Sequence, residues 1–148
     1  MFLWKNGKLH AAGASFAIPE GLLIGIDKAD EDLNYILLQS PDEIYQIQLC
    51  YVSGQMSSKS ELEWLIKDHE DFKAQGEITP AIYNGLTGHC LRYSCDPHQL
   101  FQLRFDTANV NDHYNFIILI SSQYPDITPI LNLPAVKSLL NSLTPSDF

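Results

Sequence analysis

Two Asn-Gly pairs limit the fold more than any other feature, because each separates two segments in which apolar and polar residues alternate. A two-residue type I′ turn requires positive φ at both central residues, and Asn followed by Gly accepts that conformation well. Asn6-Gly7 therefore predicts a β-hairpin within residues 2–11, and Asn84-Gly85 predicts a second one within residues 78–95. Both hairpins make neighbouring strands antiparallel.

Five further segments have the composition of β-strands. In residues 45–52 and 100–107 apolar side chains alternate with polar ones, which is typical of strands with one buried face. In residues 114–121 both sets of alternate positions are mostly apolar, which indicates a central strand covered on two faces. The other two candidates are residues 15–18 and 33–39. An antiparallel sheet therefore dominates the predicted fold, with loops at residues 26–32 and 123–133.

Two amphipathic helices are predicted to cover this sheet. Ser58 and Glu61 form a capping box, so the first helix should begin with Ser58 as N-cap and run to about Lys73. The second helix should begin near Pro134 and end before Pro145. At helical spacing, the apolar stripe of the first helix consists of Leu62, Leu65, Ile66, His69 and Phe72.

Composition excludes several classes of function. The 148 residues contain no repeat or long linker, so a single domain over residues 1–148 is expected. Nine Lys and Arg against 18 Asp and Glu give a net charge of −9, which would repel the phosphates of a nucleic acid. The longest apolar run, residues 116–120, is far shorter than the roughly 20 residues that cross a bilayer, so no membrane span is predicted.

The expected compartment is the cytoplasm. Residues 1–7 lack the basic and long apolar stretches of a signal peptide, although a leader removed from a longer chain would leave the same sequence. The cysteines Cys50, Cys90 and Cys95 are odd in number and lack the spacing of a secreted disulfide scaffold.

Three segments carry a resemblance to a known superfamily. They are Ser15–Gly21 (SFAIPEG), Asn84–Gly88 (NGLTG) and Val136–Leu143 (VKSLLNSL). Together with the order of predicted elements, they resemble the PsbP-like superfamily, which includes Mog-type Ran-binding proteins and small DcrB-like and Eag-type bacterial proteins. The resemblance implies an α+β fold, an α/β/α sandwich around a central antiparallel sheet. Because Eag-type members are chaperones for secreted toxins, it also favours a chaperone-like function, and it carries over no catalytic residue.

Catalytic and metal sites are not predicted. The densest group of metal-binding residue types is His89, Cys90, Cys95 and His98. On one strand His89 and Cys90 would point to opposite faces, and His89 would lie about 20 Å from Cys95, so the four side chains cannot converge on zinc. A reactive cysteine paired with a histidine is the other option, but no spacing selects a pair. Structural cysteines, with no metal and no cofactor, are the favoured interpretation.

A polar sheet face is the first candidate binding surface. If two strands pair around an Asp96-Pro97 turn, Arg92 lies beside Gln102 and Arg104 lies diagonally, and this group could hold a carboxylate. The alternative is a solvated sheet face on which Arg104 is neutralised by Asp106 or another acid. The candidate binding residues on this face are Gln46, Gln48, Arg92, Gln102 and Arg104.

Exposed aromatic residues are the second candidate. Trp64 is predicted nearly opposite the apolar stripe of its helix, where it could anchor a partner protein or a second copy of the chain. Alternatively, a loop or the first hairpin covers Trp64, or the helix is rotated. Phe2, Leu3 and Trp4 lie on a predicted edge strand, which either anchors the N-terminus or pairs in a homodimer.

These observations favour a non-catalytic protein-binding or chaperone-like module. The alternative is a small enzyme or a small-molecule sensor with a pocket between the sheet and residues 123–133.

Overall fold

The computed structural model of the chain describes residues 2–25, 35–53 and 56–148, which contain twelve strands and three helices. In chain order the strands are β1 (Leu3–Lys5), β2 (Lys8–Ala11), β3 (Ala14–Phe16), β4 (Leu23–Gly25), β5 (Tyr35–Gln39), β6 (Tyr45–Ser53), β7 (Lys73–Ala74), β8 (Thr79–Tyr83), β9 (Leu86–Cys95), β10 (His98–Ala108), β11 (His113–Ser122) and β12 (Thr144–Pro145). The helices are α1 (Ser58–Asp68), α2 (Thr128–Leu131) and α3 (Pro134–Ser142).

Eight strands form a large antiparallel sheet. Its order is β4-β5-β6-β11-β10-β9-β7, and β8 pairs with another part of β9. The strand β11 lies in the middle of this order, and Phe116, Ile117 and Ile118 are all buried. The prediction of a central strand covered on both faces is therefore confirmed.

The remaining four strands form a small antiparallel sheet in the order β1-β2-β3-β12. The small sheet packs on one face of the large sheet through Phe16, whose ring centroid lies 6.1 Å from that of Phe116. Near the C-terminus, β12 pairs with β3, with Thr144 opposite Ser15. The helix α3 covers the same face, because Val136, Leu139 and Leu143 belong to the same buried cluster.

The expected α+β fold, an α/β/α sandwich, is wrong. The protein is predominantly β, with 49% of the described residues in strands and 18% in helices. Where the sandwich requires a helical layer, the small sheet supplies much of the cover. Two parts of the small sheet have weak sequence patterns. Ala12 and Gly13, with φ of 50° and 82°, form a third two-residue turn. The strand β12 contains only two residues.

Both Asn-Gly hairpins are confirmed. Asn6 and Gly7 have φ of 53° and 77°, and Asn84 and Gly85 have φ of 51° and 94°. The first turn joins β1 to β2, and the second joins β8 to β9. The predicted loop over residues 26–32 and the first two residues of the strand predicted over 33–39 lie outside the described residues.

Both predicted helices are present, and the ends of the first differ from the prediction. The N-cap of α1 is Ser57, whose side chain accepts from the backbone NH of Ser60. The helix ends at Asp68 rather than Lys73, because Lys73 already pairs with β9. The apolar side of α1 packs on Leu91 and Tyr93 of β9, as the predicted stripe requires. The helix α3 matches its predicted range, and α2 interrupts the loop predicted over residues 123–133.

None of the helices within the described ranges is long and apolar enough to cross a membrane.

The close approach of β9 to β10 at Gly88 gives a test of the sheet. A Cβ at this position would overlap the carbonyl oxygen of Arg104 and lie 2.7 Å from the Cα of Phe105. We expect Gly88→Ala to lower the free energy of unfolding by about 3 kcal/mol, because backbone atoms must move. Urea denaturation measures the change.

Gly25→Ala is the matched control, since its Cβ would meet only ordinary contacts of 3.6 Å and longer. This variant should stay within about 0.5 kcal/mol of the wild type. Equal stability of the two variants would contradict the strand pairing described here.

Candidate functional site

The large sheet has two faces with different cover. The core face meets the small sheet and α3, and its residues include Leu49, Ile118 and Leu103 in one cross-strand row. The opposite face, called the helix face, meets α1. Its central row is Gln48, Leu119, Gln102 and Leu91.

The register brings four of the five predicted polar residues to the helix face. Gln48 and Gln102 share the central row, and Gln46 and Arg104 lie two residues away along the same strands. Arg92 is the exception, because it pairs with Phe101 and therefore points to the core face. The expected pairing of Arg92 with Gln102 is wrong by one residue.

The physical reason is the length of the β9–β10 loop. Cys95 pairs with His98, which leaves a two-residue loop, whereas the expected pairing requires a three-residue loop. A slip of one residue moves a side chain to the other face of a sheet. Arg92 is instead exposed on the core side of β9 and donates to Thr128 Oγ1 at 2.7 Å.

The guanidinium of Arg104 is already engaged within the protein. Its Nε donates to Asn115 Oδ1 at 2.9 Å, and one terminal nitrogen donates to Gln102 Oε1 at 3.2 Å. The other terminal nitrogen lies 3.9 Å from a carboxylate oxygen of Glu61 on α1, and the side chain is only 11% exposed. Burial lowers the pKa of Arg104, and the negative charge of Glu61 opposes this effect.

These contacts bear on the prediction that Arg92, Gln102 and Arg104 hold a carboxylate. An external carboxylate would have to displace partners that Arg104 already holds. The alternative interpretation holds in part: an acid does lie beside Arg104, Glu61 rather than Asp106, but the face around Arg104 is covered by α1 and is not solvated, since the Arg104 side chain is only 11% exposed.

A serine, a histidine and an aspartate meet at the start of α1. The Oγ of Ser58 donates to Asp106 Oδ2 at 2.7 Å, and the backbone NH of Ser58 donates to Asp106 Oδ1 at 2.8 Å. The Nδ1 of His89 lies 2.8 Å from the same Oγ. The hydroxyl proton is directed at the carboxylate, so His89 Nδ1 must donate its own proton to Ser58 Oγ.

This order differs from that of a hydrolytic triad. In a triad the histidine stands between the acid and the serine and accepts the serine proton. Here Ser58 stands in the middle and is fully buried. The cluster attaches the first turn of α1 to β9 and β10. Sequence reasoning missed it because Ser58 was assigned as the N-cap, a role that Ser57 fills.

Trp64 lies on the outer side of α1 and is 49% exposed, as its helical position predicts. Its ring meets the ring of His69 edge-on, at 5.8 Å between centroids. His69 in turn stacks on Phe72 at 4.8 Å, and its Nδ1 donates to the carbonyl oxygen of Leu65 at 2.9 Å. Phe72 packs on buried Tyr93. Trp64, His69 and Phe72 are called the aromatic stack.

Beside α1, part of the helix face stays accessible. Gln46 is exposed, and Gln48, Leu119 and Ser121 are half-buried. These four residues of β6 and β11 are called the open strip. A cross-strand row runs from Tyr93 through Leu100 and Ser121 to Gln46, so the open strip continues from the base of the aromatic stack.

The cysteines are free thiols, each half-buried. Burial raises the pKa of Cys50, and Arg104 opposes the shift. Among residues 2–25, 35–53 and 56–148, no group of three or more His, Cys, Asp and Glu side chains is placed to hold a metal ion.

The N-terminal strand divides into an anchored and an exposed part. Phe2 is buried and packs edge-on against Phe16 and Tyr51. Leu3 and Trp4 are 44% and 66% exposed. Anchoring of the N-terminus is therefore supported for Phe2, and pairing of β1 in a homodimer stays a prediction.

Two clefts flank Tyr45 at one end of the large sheet. The smaller, of about 240 Å³, is bordered by Glu43, His98 and Gln123. The larger, of about 640 Å³, is bordered by Pro19, Asp42 and Leu133. Gln123 and Leu133 are the ends of the segment beside which a pocket was expected.

Comparisons with known proteins give little further identification. No protein-family model and no curated protein matches the chain. A crystal structure of a protein from Bacteroides thetaiotaomicron VPI-5482 is similar over 90% of this chain, with 9% sequence identity and a TM-score of 0.49. This chain covers 45% of that chain. Similarity at this level identifies neither a family nor a function.

The contact between Tyr93 and Gln102 predicts a pH dependence. Burial raises the pKa of Tyr93 to about 12, and the hydrogen bond from Gln102 lowers it in part. An unfolded tyrosine titrates near 10, so above pH 10 the unfolded chain loses this proton while the folded protein keeps it. Stability contributed by Tyr93 is therefore complete below pH 10 and is lost as the pH rises towards 12.

We expect the free energy of unfolding to fall by about 2 kcal/mol more in the wild type than in Tyr93→Phe between pH 9 and 11.5. Urea denaturation at each pH measures both slopes. Identical slopes for the two proteins would show that Tyr93 titrates normally.

Ser58→Ala tests whether the cluster at the start of α1 is structural. Removing the hydroxyl leaves Asp106 and His89 each without one partner, and because water reaches both side chains the cost should be about 1 kcal/mol of unfolding free energy. The exposed Ser60→Ala is the control and should change stability by less than about 0.5 kcal/mol. A fully stable Ser58→Ala variant would remove the structural role.

Proposed function

We propose that this chain is a protein-binding module whose contact surface consists of the aromatic stack and the open strip, with Trp64 as the anchor. The observation that carries the proposal is a half-exposed tryptophan held in place from beneath. Tryptophan is enriched among the residues that dominate the free energy of protein association.

The aromatic stack reduces the conformational entropy that Trp64 loses when a partner protein binds. A side chain that is ordered before association loses less conformational entropy when the partner arrives. His69 supports Trp64 on one side, and the hydrogen bond from its Nδ1 to Leu65 fixes the imidazole. Phe72 and Tyr93 continue the packing into the sheet. Trp64 is therefore presented as a fixed apolar projection.

The open strip supplies contacts of another kind. Gln46 and Gln48 carry amide donors and acceptors, and Leu119 between their strands adds apolar surface. Protein interfaces combine an aromatic or aliphatic centre with a polar rim in this way.

Charge favours a basic partner. In the segment after Trp64 the exposed acids Asp68, Glu70 and Asp71 outnumber the exposed Lys67 and Lys73, and the net charge of the protein is −9. A partner surface that carries Lys or Arg around an apolar pocket would match this arrangement. A chaperone-like role towards such a partner and the relationship to the PsbP-like superfamily stay predictions.

The two tryptophans allow a matched test. Wild type, Trp64→Ala and Trp4→Ala are each immobilised and exposed to extract of the source cells, and captured proteins are quantified by mass spectrometry. The leading partner is then purified, and its Kd is measured for each variant. We expect Trp64→Ala to weaken this Kd about 30-fold and Trp4→Ala to change it less than 2-fold.

Two further measurements separate binding from folding. Trp64→Ala should change the free energy of unfolding by less than about 1 kcal/mol, because its side chain is half-exposed. In a Trp4→Phe background, emission of Trp64 should shift to shorter wavelength when the purified partner binds. Equal affinities of the two alanine variants, or an unshifted emission, would contradict the proposal.

A further inference from the structure

The larger cleft beside Tyr45 has walls from three separate segments. Pro19 precedes β4, Pro41 lies between β5 and β6, and Pro134 begins α3. Leu22 and Leu133 add apolar surface, and the volume is about 640 Å³. The ring of proline fixes φ of the backbone at these three positions. This space is called the proline cleft.

The charged side chains that line the proline cleft are all acidic. Glu20 and Asp42 contribute carboxylates, and no Lys, Arg or His side chain is among the described residues that line it. Proline has no backbone NH, so the three prolines also contribute no donor. The remaining polar side chains are the hydroxyls of Ser40, Tyr45 and Ser138.

Asp42 is ionised at neutral pH. Hydrogen bonds from Ser40 and from the backbone NH of Ile44 hold the pKa of its carboxyl below the usual value. The pKa of Tyr45 is raised by burial and, in addition, by the negative charge of Asp42. The carboxylate therefore acts electrostatically on the aromatic residue that lines the same cleft.

We infer that the proline cleft binds an organic cation with an apolar body, of the alkylammonium class. The prolines and leucines would cover the apolar body, and Glu20 and Asp42 would face the positive charge. Tyr45 adds an aromatic ring, a group that attracts cations. The net charge of −9 also raises the local concentration of cations at the surface.

This inference is independent of the contact surface around Trp64. None of the residues of the aromatic stack or the open strip lines the proline cleft. Either proposal can therefore fail without the other.

Three ligands with the same alkyl chain test the charge preference. Octylammonium, octanol and octanoate differ only in the head group, and isothermal titration calorimetry measures each Kd below the concentration at which micelles form. We expect octylammonium to bind at least 10-fold more tightly than octanoate, with octanol between them. Amide resonances of Leu22, Ser40 and Ala135 in ¹⁵N NMR spectra should report the location of binding, because these residues line the cleft.

Variants of the acids test the recognition. Asp42→Asn keeps an acceptor for the backbone NH of Ile44, so the local turn is preserved. We expect Asp42→Asn and Glu20→Gln each to weaken octylammonium binding about 3- to 5-fold. Glu43→Gln is the matched control, since Glu43 is the adjacent acid and does not line the proline cleft. It should change the Kd less than 2-fold.

Several outcomes would overturn the inference. Octanoate binding as tightly as octylammonium would show that the carboxylates do not select the ligand. An equal effect of Glu43→Gln and Asp42→Asn would show attraction by net charge alone. Perturbed amides only outside the proline cleft, or an undetectable affinity for octylammonium, would remove the site.

Discussion

The register of β10 against β9 and β11 is the constraint on which the rest of the structure depends. Side chains along a strand alternate between faces, so one pairing assigns every residue of these strands to the core face or the helix face. The two-residue loop at Asp96-Pro97 joins β9 to β10 in this register, and residues 109–112 join β10 to β11. The register places Arg104 beneath α1 and Phe105 in the main core, and it places Arg92 on the core face.

The charged group beneath α1 then fixes the position of the helix. Arg104 contacts Glu61, and Asp106 on the same strand accepts two hydrogen bonds from Ser58. Ser58 is buried and the Arg104 side chain is only 11% exposed, so leaving either without its partners would cost more free energy than the contacts contribute, and these contacts favour one position of α1 on the sheet. The direction of Trp64 follows from that position, which links the contacts of Ser58 and Arg104 to an exposed aromatic side chain.

Local sequence patterns predicted the turns and the central strand of the large sheet, but they did not predict the small sheet that packs on it. Asn6-Gly7 and Asn84-Gly85 act through their own backbone, so their turns were predictable, and the apolar central strand was recognisable from residues 116–120. The turn at Ala12-Gly13 is less typical, and a strand as short as β12 has no periodicity. The small sheet was therefore missed.

In the candidate site, the helical spacing placed Trp64 correctly on the exposed side of α1. The face of Arg92 depended on the length of the β9–β10 loop, which the alternation of apolar and polar residues does not specify.

The pairing of β12 with β3 has a consequence for the order of folding. These strands lie at opposite ends of the sequence, with Ser15 hydrogen-bonded to Thr144 and Gly13 to Phe148. The whole large sheet lies between these two strands in the sequence. Until β12 pairs, β3 has an unpaired edge, next to which Phe16 closes the core. Unpaired edges recruit other strands, so the small sheet is most exposed to mispairing before β12 is in place.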